Sequence, residues 1–166
     1  MAMSLTSSAF QDGGSIPPKF TCDGEREISP ALSISGVPEG TASLVLVMDD
    51  PDIPAPVKER LGEEAFDHWI MFDIAPSITE IVEGGPPAGG LGTLGRSSTG
   101  KNEYTGPCPP REYEPSEHRY IFRLYALNTK LGLPAGATKA EVLAAMKGHV
   151  LAQATLVGRY RRLAGA

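Results

Sequence analysis

The chain is poor in several things. Its 166 residues include two cysteines, three histidines and one tryptophan. Two thiols are too few for the disulfide framework of a small secreted scaffold, so the expectation is two reduced thiols in a cytoplasmic protein. No apolar stretch reaches the ~18 residues a membrane-spanning helix needs. The N-terminus, MAMSLTSSAFQDGG, has neither the basic region nor the apolar core of a secretory signal. Positive charge does not dominate either. Fifteen Lys and Arg stand against 20 Asp and Glu, a formal charge of −5. That balance argues against a nucleic-acid partner, which favours a basic surface.

What the chain has in quantity is punctuation. Its 19 glycines and 15 prolines are spread along the whole length. So many breakers leave room only for short elements, which points to a mainly β fold. Apolar residues make up 41% of the chain, enough for one core, and no linker divides it, so one domain over residues 1–166 is expected.

Residues 43–48, SLVLVM, form a continuous apolar β-run, as expected of a strand buried on both faces. It stops at Asp49-Asp50-Pro51-Asp52-Ile53-Pro54, which cannot continue a central strand. Residues 68–74, HWIMFDI, read as a second buried strand. In residues 118–127, His118, Tyr120, Phe122 and Leu124 share one face. Residues 150–160 read as a last strand, broken by Gly158. One helix is well signalled. Thr138 is its N-cap, Glu141 completes a capping box, Val142, Leu143 and Met146 give its apolar stripe, and Gly148 ends it. Residues 55–65 read as a shorter helical turn. The stretch 84–105 reads as one Gly-rich surface loop without core-forming residues.

That loop contains GRSSTGKN at 95–102, one letter short of a nucleotide phosphate loop, and Gly90-Leu-Gly92-Thr-Leu-Gly95 matches a dinucleotide fingerprint. Both motifs need a strand before and a helix after. Here the preceding residues are loop, and the following NEYTGPCPP contains three prolines that cannot open a helix. The hydroxyl that would hold Mg²⁺ is Asn102. Both matches are accidents of a Gly-rich segment.

Four short stretches place polar groups at strand ends, where sites form. They are Asp49–Pro54, Asp67-His68-Trp69, Gly106-Pro107-Cys108-Pro109-Pro110 and His118-Arg119-Tyr120. Each also has an ordinary structural explanation. Asp/Pro turns bond their own backbone, GPCPP makes a stiff connector, Cys108 packs as a small hydrophobe, and His68 serves as a satisfied core histidine.

Together these stretches resemble the phosphatidylethanolamine-binding protein family, in its bacterial and archaeal, Raf-kinase-inhibitor-like branch. The matching text is FTCDGEREISPALSISGVP at 20–38, SLVLVMDDPDIP at 43–54, HWIMFDIAP at 68–76, KNEYTGPCPP at 101–110 and HRYIFRLYAL onward from 118, running to Tyr160. The resemblance implies a two-sheet antiparallel, Greek-key-like β-sandwich with a few short peripheral helices. It implies a small anion pocket at a sheet end, holding Asp50, Asp52, His68, the backbone of Gly106, Pro107, Cys108 and Pro109, and His118 and Tyr120. Cis peptides are implied at Asp50–Pro51 and Ile53–Pro54. The implied function is non-enzymatic binding of a phosphate or phospholipid head group, with no cofactor or metal, and regulation of a kinase or protease partner.

Departures from the family pattern mark where this chain differs. The link Arg111–Glu117 is longer and acidic. Asp73 replaces a common Asn. Near Glu63 the mammalian branch has a Tyr. The chain stops soon after Tyr160, where mammalian members add a helix, so a more open pocket is expected.

Two carboxylates beside a phosphate present a difficulty. They are expected to raise the pKa of the two histidines, so that anion affinity strengthens from about pH 8 to 5.5. Lys101 is expected to lend positive charge at the pocket mouth. A hydrolase remains the alternative, with Asp50, Asp52, His68 and His118 holding a metal or with Cys108 as nucleophile. A Cys22–Cys108 disulfide stays open, because both lie in family-matching motifs. No apolar stripe declares a dimer face, and a homodimer stays open as well.

Overall fold

The computed structural model describes residues 2–85 and 91–164, and Gly90 of the fingerprint match lies outside them. Among the described residues nine strands form two sheets. The smaller joins β1 (Ser4–Thr6), β3 (Leu32–Ser35) and β6 (Glu80–Ile81). The larger contains β2 (Gly14–Ser15), β4 (Ser43–Asp50), β5 (Phe66–Ile74), β7 (Thr93–Leu94), β8 (Glu117–Leu127) and β9 (Val150–Arg161). Its order is β2-β9-β8-β4-β5-β7. The mainly β, two-sheet expectation holds. One detail differs: β2 runs parallel to β9, so the large sheet is antiparallel except at that edge.

The apolar run at 43–48 is buried throughout because β4 lies between two cores. Leu44, Leu46 and Met48 face the smaller sheet and pack with Trp69, Met71, Phe122 and Leu124. Val45 and Val47 point the other way, onto Ile70, Phe72 and the helix residues Val142 and Met146. Each fully buried large apolar side chain contributes about 1.5–3 kcal/mol, so a strand feeding both cores needs no polar face.

The helix α2 (Lys139–Met146) carries the expected capping box, with the Thr138 hydroxyl accepting from Glu141 N–H and the Glu141 carboxylate accepting from Thr138 N–H. Its stripe is narrower than read from the sequence. Val142 and Met146 are buried, but Leu143 is exposed. The second helix, α1 (Ala55–Leu61), fills the expected turn and ends on Gly62 in the left-handed region.

Gly158 does not break the last strand. It pairs with Tyr120 inside β9, where an added Cβ would sit 2.5 Å from Ile16 Cγ1 and 2.9 Å from Phe10 Cε2. The glycine is there so that two core side chains can cross the strand closely. The loop around 84–105 also differs from expectation. It contributes β7, and Leu91, Leu94 and Tyr104 pack on the main core while Ser97 is buried.

The thiols are not free. Cys22 and Cys108 form a disulfide across 86 residues of sequence. The Cys22 N–H donates to Pro107 O, which keeps the two segments side by side. The argument from reduced thiols to a cytoplasmic setting falls with them, because disulfides persist in oxidising compartments and inside hyperthermophiles. No helix among the described residues is long and apolar enough to cross a membrane.

The one cis peptide among the described residues is Glu114–Pro115, not Asp50–Pro51 or Ile53–Pro54. The turn after β4 closes instead on the Asp50 carboxylate, which accepts the Asp52 N–H at 2.8 Å, and Pro54 serves in extended backbone as the N-cap of α1.

Candidate functional site

A cleft of about 190 Å³ opens where β4, β5 and β8 end, under α1 and the GPCPP segment. Asp50, His68, Gly106, Cys108 and Tyr120 line it, joined by Ile53, Pro54, Val57, Arg60, Phe66, Thr105, Pro109 and Pro110. Thus six of the nine residues named from sequence, Pro109 included, gather at one place.

His68 reaches the cleft through an irregularity in the sheet. The β4–β5 register runs Met48↔Trp69 and then Asp49↔Asp67, so His68 is an extra residue without an opposite number. Such a bulge re-aims a side chain next to a site. Trp69 and Met71 face the sandwich core, whereas Asp67 turns outward to Lys139. The bulge is then stitched to the loop. Thr105 N–H donates to His68 O, and His68 Nδ1–H donates to Thr105 O at 2.7 Å. A carbonyl can only accept, so Nδ1 carries the hydrogen and Nε2 is the ring nitrogen left for the cleft.

The ring packs at 4.7 Å from Phe66 and edge-on at 5.2 Å from Tyr120. Burial holds the His68 pKa below the ordinary imidazole value, outweighing the Thr105 carbonyl and the Asp50 charge. The expectation that neighbouring carboxylates keep this histidine protonated is therefore overturned, because desolvation is the larger effect.

Asp50 is a scaffold for the site. It is 3% exposed. One carboxylate oxygen accepts the Asp52 N–H and the other accepts His118 Nδ1–H at 2.7 Å. His118, 0% exposed, stands behind Asp50 and does not line the cleft. Among the described residues its Nε2 is buried with no hydrogen-bond partner, and the same is true of the Tyr120 hydroxyl, which lies near the Asp50 carboxylate without a regular hydrogen bond to it. Tyr120 is on the cleft wall, two residues along the inward face of β8. Burial, then the Asp50 charge, raises its pKa far above an ordinary phenol, so the hydroxyl remains a donor at any working pH.

Three residues named from sequence lie elsewhere. Asp52 faces outward and holds Arg119, accepting from its N–H, Nε and Nη2 at 2.8–2.9 Å. This pairing lowers the Asp52 pKa. The period of two that links Asp50 to Asp52 on paper ends with the strand at Asp50. Asp52 and His118 border a separate outer groove with Arg119 and Arg159. Pro107 is buried, with its carbonyl given to Cys22.

The backbone donors expected around Gly106 are also fewer than supposed. In GPCPP only Gly106 and Cys108 have an N–H, and that of Gly106 donates to the Glu27 carboxylate at 3.1 Å. Gly106 itself is needed because a Cβ there would meet Phe20 O at 2.5 Å.

The cation at the cleft is Arg60, not Lys101, which is exposed and away from the lining. Arg60 and Val57 are three apart on α1, so they share the face that looks onto the cleft. That spacing was the available signal for Arg60. Phe66, two residues before His68, was readable from strand alternation once His68 was placed.

Behind the cleft, Asp49 and Asp67 share Lys139 at 3.1 and 2.6 Å, and Asp49 also takes Arg123 at 3.0 Å. This cluster ties α2 to the strand ends that carry Asp50 and His68. The replacement Asp73 has a structural task. It adopts φ 54°, and its carboxylate accepts the N–H of Leu131 and Gly132.

Neither enzymatic arrangement considered from sequence is assembled. The Cys108 sulfur is bonded to Cys22. Among the described residues no three His, Cys, Asp or Glu side chains converge as ligands for one metal ion.

A sandwich with a polar-floored, apolar-walled cleft at one end matches a known class. The sequence profile described as phosphatidylethanolamine-binding protein fits residues 6–161. The chain is 48% identical to a UPF0098 protein of Methanothermobacter thermautotrophicus, across 96% of this chain and 99% of that one. Among solved structures, a phosphatidylethanolamine-binding protein homologue of Chlamydia trachomatis superposes with a TM-score of 0.87 at 41% identity, covering 98% of this chain and 99% of that one. Escherichia coli YbcL follows with a TM-score of 0.84 at 25% identity, covering 98% and 100%. The chain belongs to the phosphatidylethanolamine-binding protein family.

Proposed function

We propose that the cleft binds, without transforming, a small ligand that carries a protonated phosphate-like group on an apolar stem. The observation that carries this reading is the buried Tyr120 hydroxyl, a donor with no regular hydrogen-bond partner among the described residues, on the wall of a cleft that Arg60 also lines. A buried, unsatisfied donor costs about 1–3 kcal/mol and so is suited to a ligand acceptor.

The other polar groups select the form of that ligand. Asp50 is a carboxylate, and His68 is held neutral with Nε2 as an acceptor. A fully ionised phosphate meets both unfavourably. A phosphate monoester monoanion, or a head group with its own ammonium, supplies the missing proton. The walls of Ile53, Pro54, Val57, Phe66 and Pro109 suit an apolar stem.

Affinity then rises from about pH 8 to 5.5 as expected, but through the ligand's second ionisation near pH 6 more than through imidazolium formation. Calorimetric titration with phenyl phosphate and with phenyl sulfate, which has no proton to give, tests this. We expect phenyl phosphate to bind at least tenfold more tightly near pH 6. Equal affinities would remove the protonated-ligand reading. A protein partner such as a kinase or protease belongs to the same proposal, docking on the exposed rim around Arg60 and Pro110.

A further inference from the structure

The ligand cleft has a disulfide in its wall. Cys108 is exposed and lines the cleft, whereas its partner Cys22 is half-buried and does not. From the cleft, Cys108 is therefore the more accessible residue of the pair, and Arg60 lines the same cleft. We propose that Cys108 is a thiol–disulfide exchange site for small anionic thiols that enter the cleft, so that ligand occupancy and the state of the disulfide compete. The proposal rests on the reading that the cleft takes small anions.

The exchange is balanced as follows. The incoming thiolate attacks Cys108 Sγ. A sulfur–sulfur bond forms there, the Cys22–Cys108 bond breaks, and its electron pair leaves on Cys22 Sγ, which takes a proton from water. A second molecule of the same thiol then attacks the mixed disulfide and departs with the first as a symmetrical disulfide. Cys108 is left reduced. Two small thiols are oxidised and the protein dithiol gains their two electrons and two protons. Access decides which sulfur is attacked, and departure of a half-buried Cys22 slows the first step.

The consequence is local, because other contacts hold the cleft floor. Cys22 N–H still donates to Pro107 O, Gly106 N–H to Glu27, and Thr105 remains doubly bonded to His68. Cleavage frees the rim at Cys108–Pro110 and leaves His68, Asp50 and Tyr120 in place. An adduct on Cys108 itself occupies the cleft.

The test uses oxidised wild-type protein with mercaptoethanesulfonate, an anionic thiol, and mercaptoethanol, a neutral one, at about pH 8. Acid quenching and peptide mass mapping locate the adduct. We expect it on Cys108. Arg60→Ala should slow the sulfonate thiol about threefold and mercaptoethanol, whose attacking thiolate carries one charge fewer, distinctly less, and saturating phenyl phosphate should slow both. An adduct on Cys22, equal effects of Arg60→Ala on the two thiols, or exchange only in denaturant would overturn the proposal. Calorimetry with phenyl phosphate on the same sample separates the two readings. Tight phosphate binding without exchange defeats this inference alone. Arg60-dependent exchange at Cys108 without phosphate binding defeats the phosphate reading alone.

Discussion

Tyr120→Phe separates a binding role for the buried phenol from a structural one, because the two predict opposite signs. The side chain is fully buried, and among the described residues its hydroxyl makes no regular hydrogen bond, the Asp50 carboxylate nearby included. If the hydroxyl held the fold together, its loss would lower stability. The structure predicts the reverse. Phenylalanine keeps the ring contacts with His68 at 5.2 Å and His118 at 6.4 Å. It removes an unpaired polar group whose burial costs about 1–3 kcal/mol. For a domain of this size each kcal/mol moves the midpoint by about 2–4 °C, so Tm should rise by at least that amount.

Binding should move the other way. A hydrogen bond to a charged ligand is worth about 1.5–3 kcal/mol, which is about 10- to 100-fold in Kd for phenyl phosphate. Scanning calorimetry and titration calorimetry on the same preparation read both quantities. A lower Tm together with an unchanged Kd would refute the assignment of this hydroxyl to the ligand.

Three further substitutions test other parts of the argument. Burial holds native His68 below the value of about 6.5 that it has when unfolded, so below that pH the unfolded chain binds the proton first and stability falls as pH falls. His68→Asn keeps a donor for Thr105 but does not titrate, so Tm measured between about pH 7 and 5 should fall less steeply than in wild type. An equal or steeper fall would show that other groups carry the acid sensitivity. Gly158→Ala drives a methyl to within 2.5 Å of Ile16 and should lower stability by about 1–3 kcal/mol in urea titration. No loss would mean that β2 can retreat from β9. Thr138→Ala removes the hydroxyl that accepts the Glu141 N–H, leaves the Glu141 carboxylate its bond from the backbone N–H of residue 138, and should cost about 1 kcal/mol by the same measurement.

The parts of this protein legible in the sequence are those where local chemistry decides the outcome. β4, β5, β8 and α2 announce themselves by period and cap, and the alternation of His118, Tyr120, Phe122 and Leu124 survives intact in β8. The smaller sheet was illegible because its strands have two to four residues, too few for a period to repeat. The site was legible in its membership more than in its geometry. Asp50 and Asp52 look equivalent on paper, yet the chain turns between them. One accepts from His118 inside, and the other holds Arg119 outside.

His68 shows the opposite case. Regular pleating would have sent it toward α2, and a single unpaired residue in the register brings it to the cleft. Its charge state also could not be read from neighbours in the sequence, since the number of carboxylates nearby mattered less than the water excluded by Phe66, Tyr120 and the GPCPP segment. Cys22 and Cys108 are 86 residues apart and carry no local signal for pairing. What joins them is a long-range consequence of the sandwich, which lays TCDG against GPCPP so closely that Gly106 can only be glycine. The same close approach that makes the cleft wall also puts the Cys22–Cys108 disulfide behind it, so that Cys108 serves both as one end of a long-range crosslink and as part of the lining.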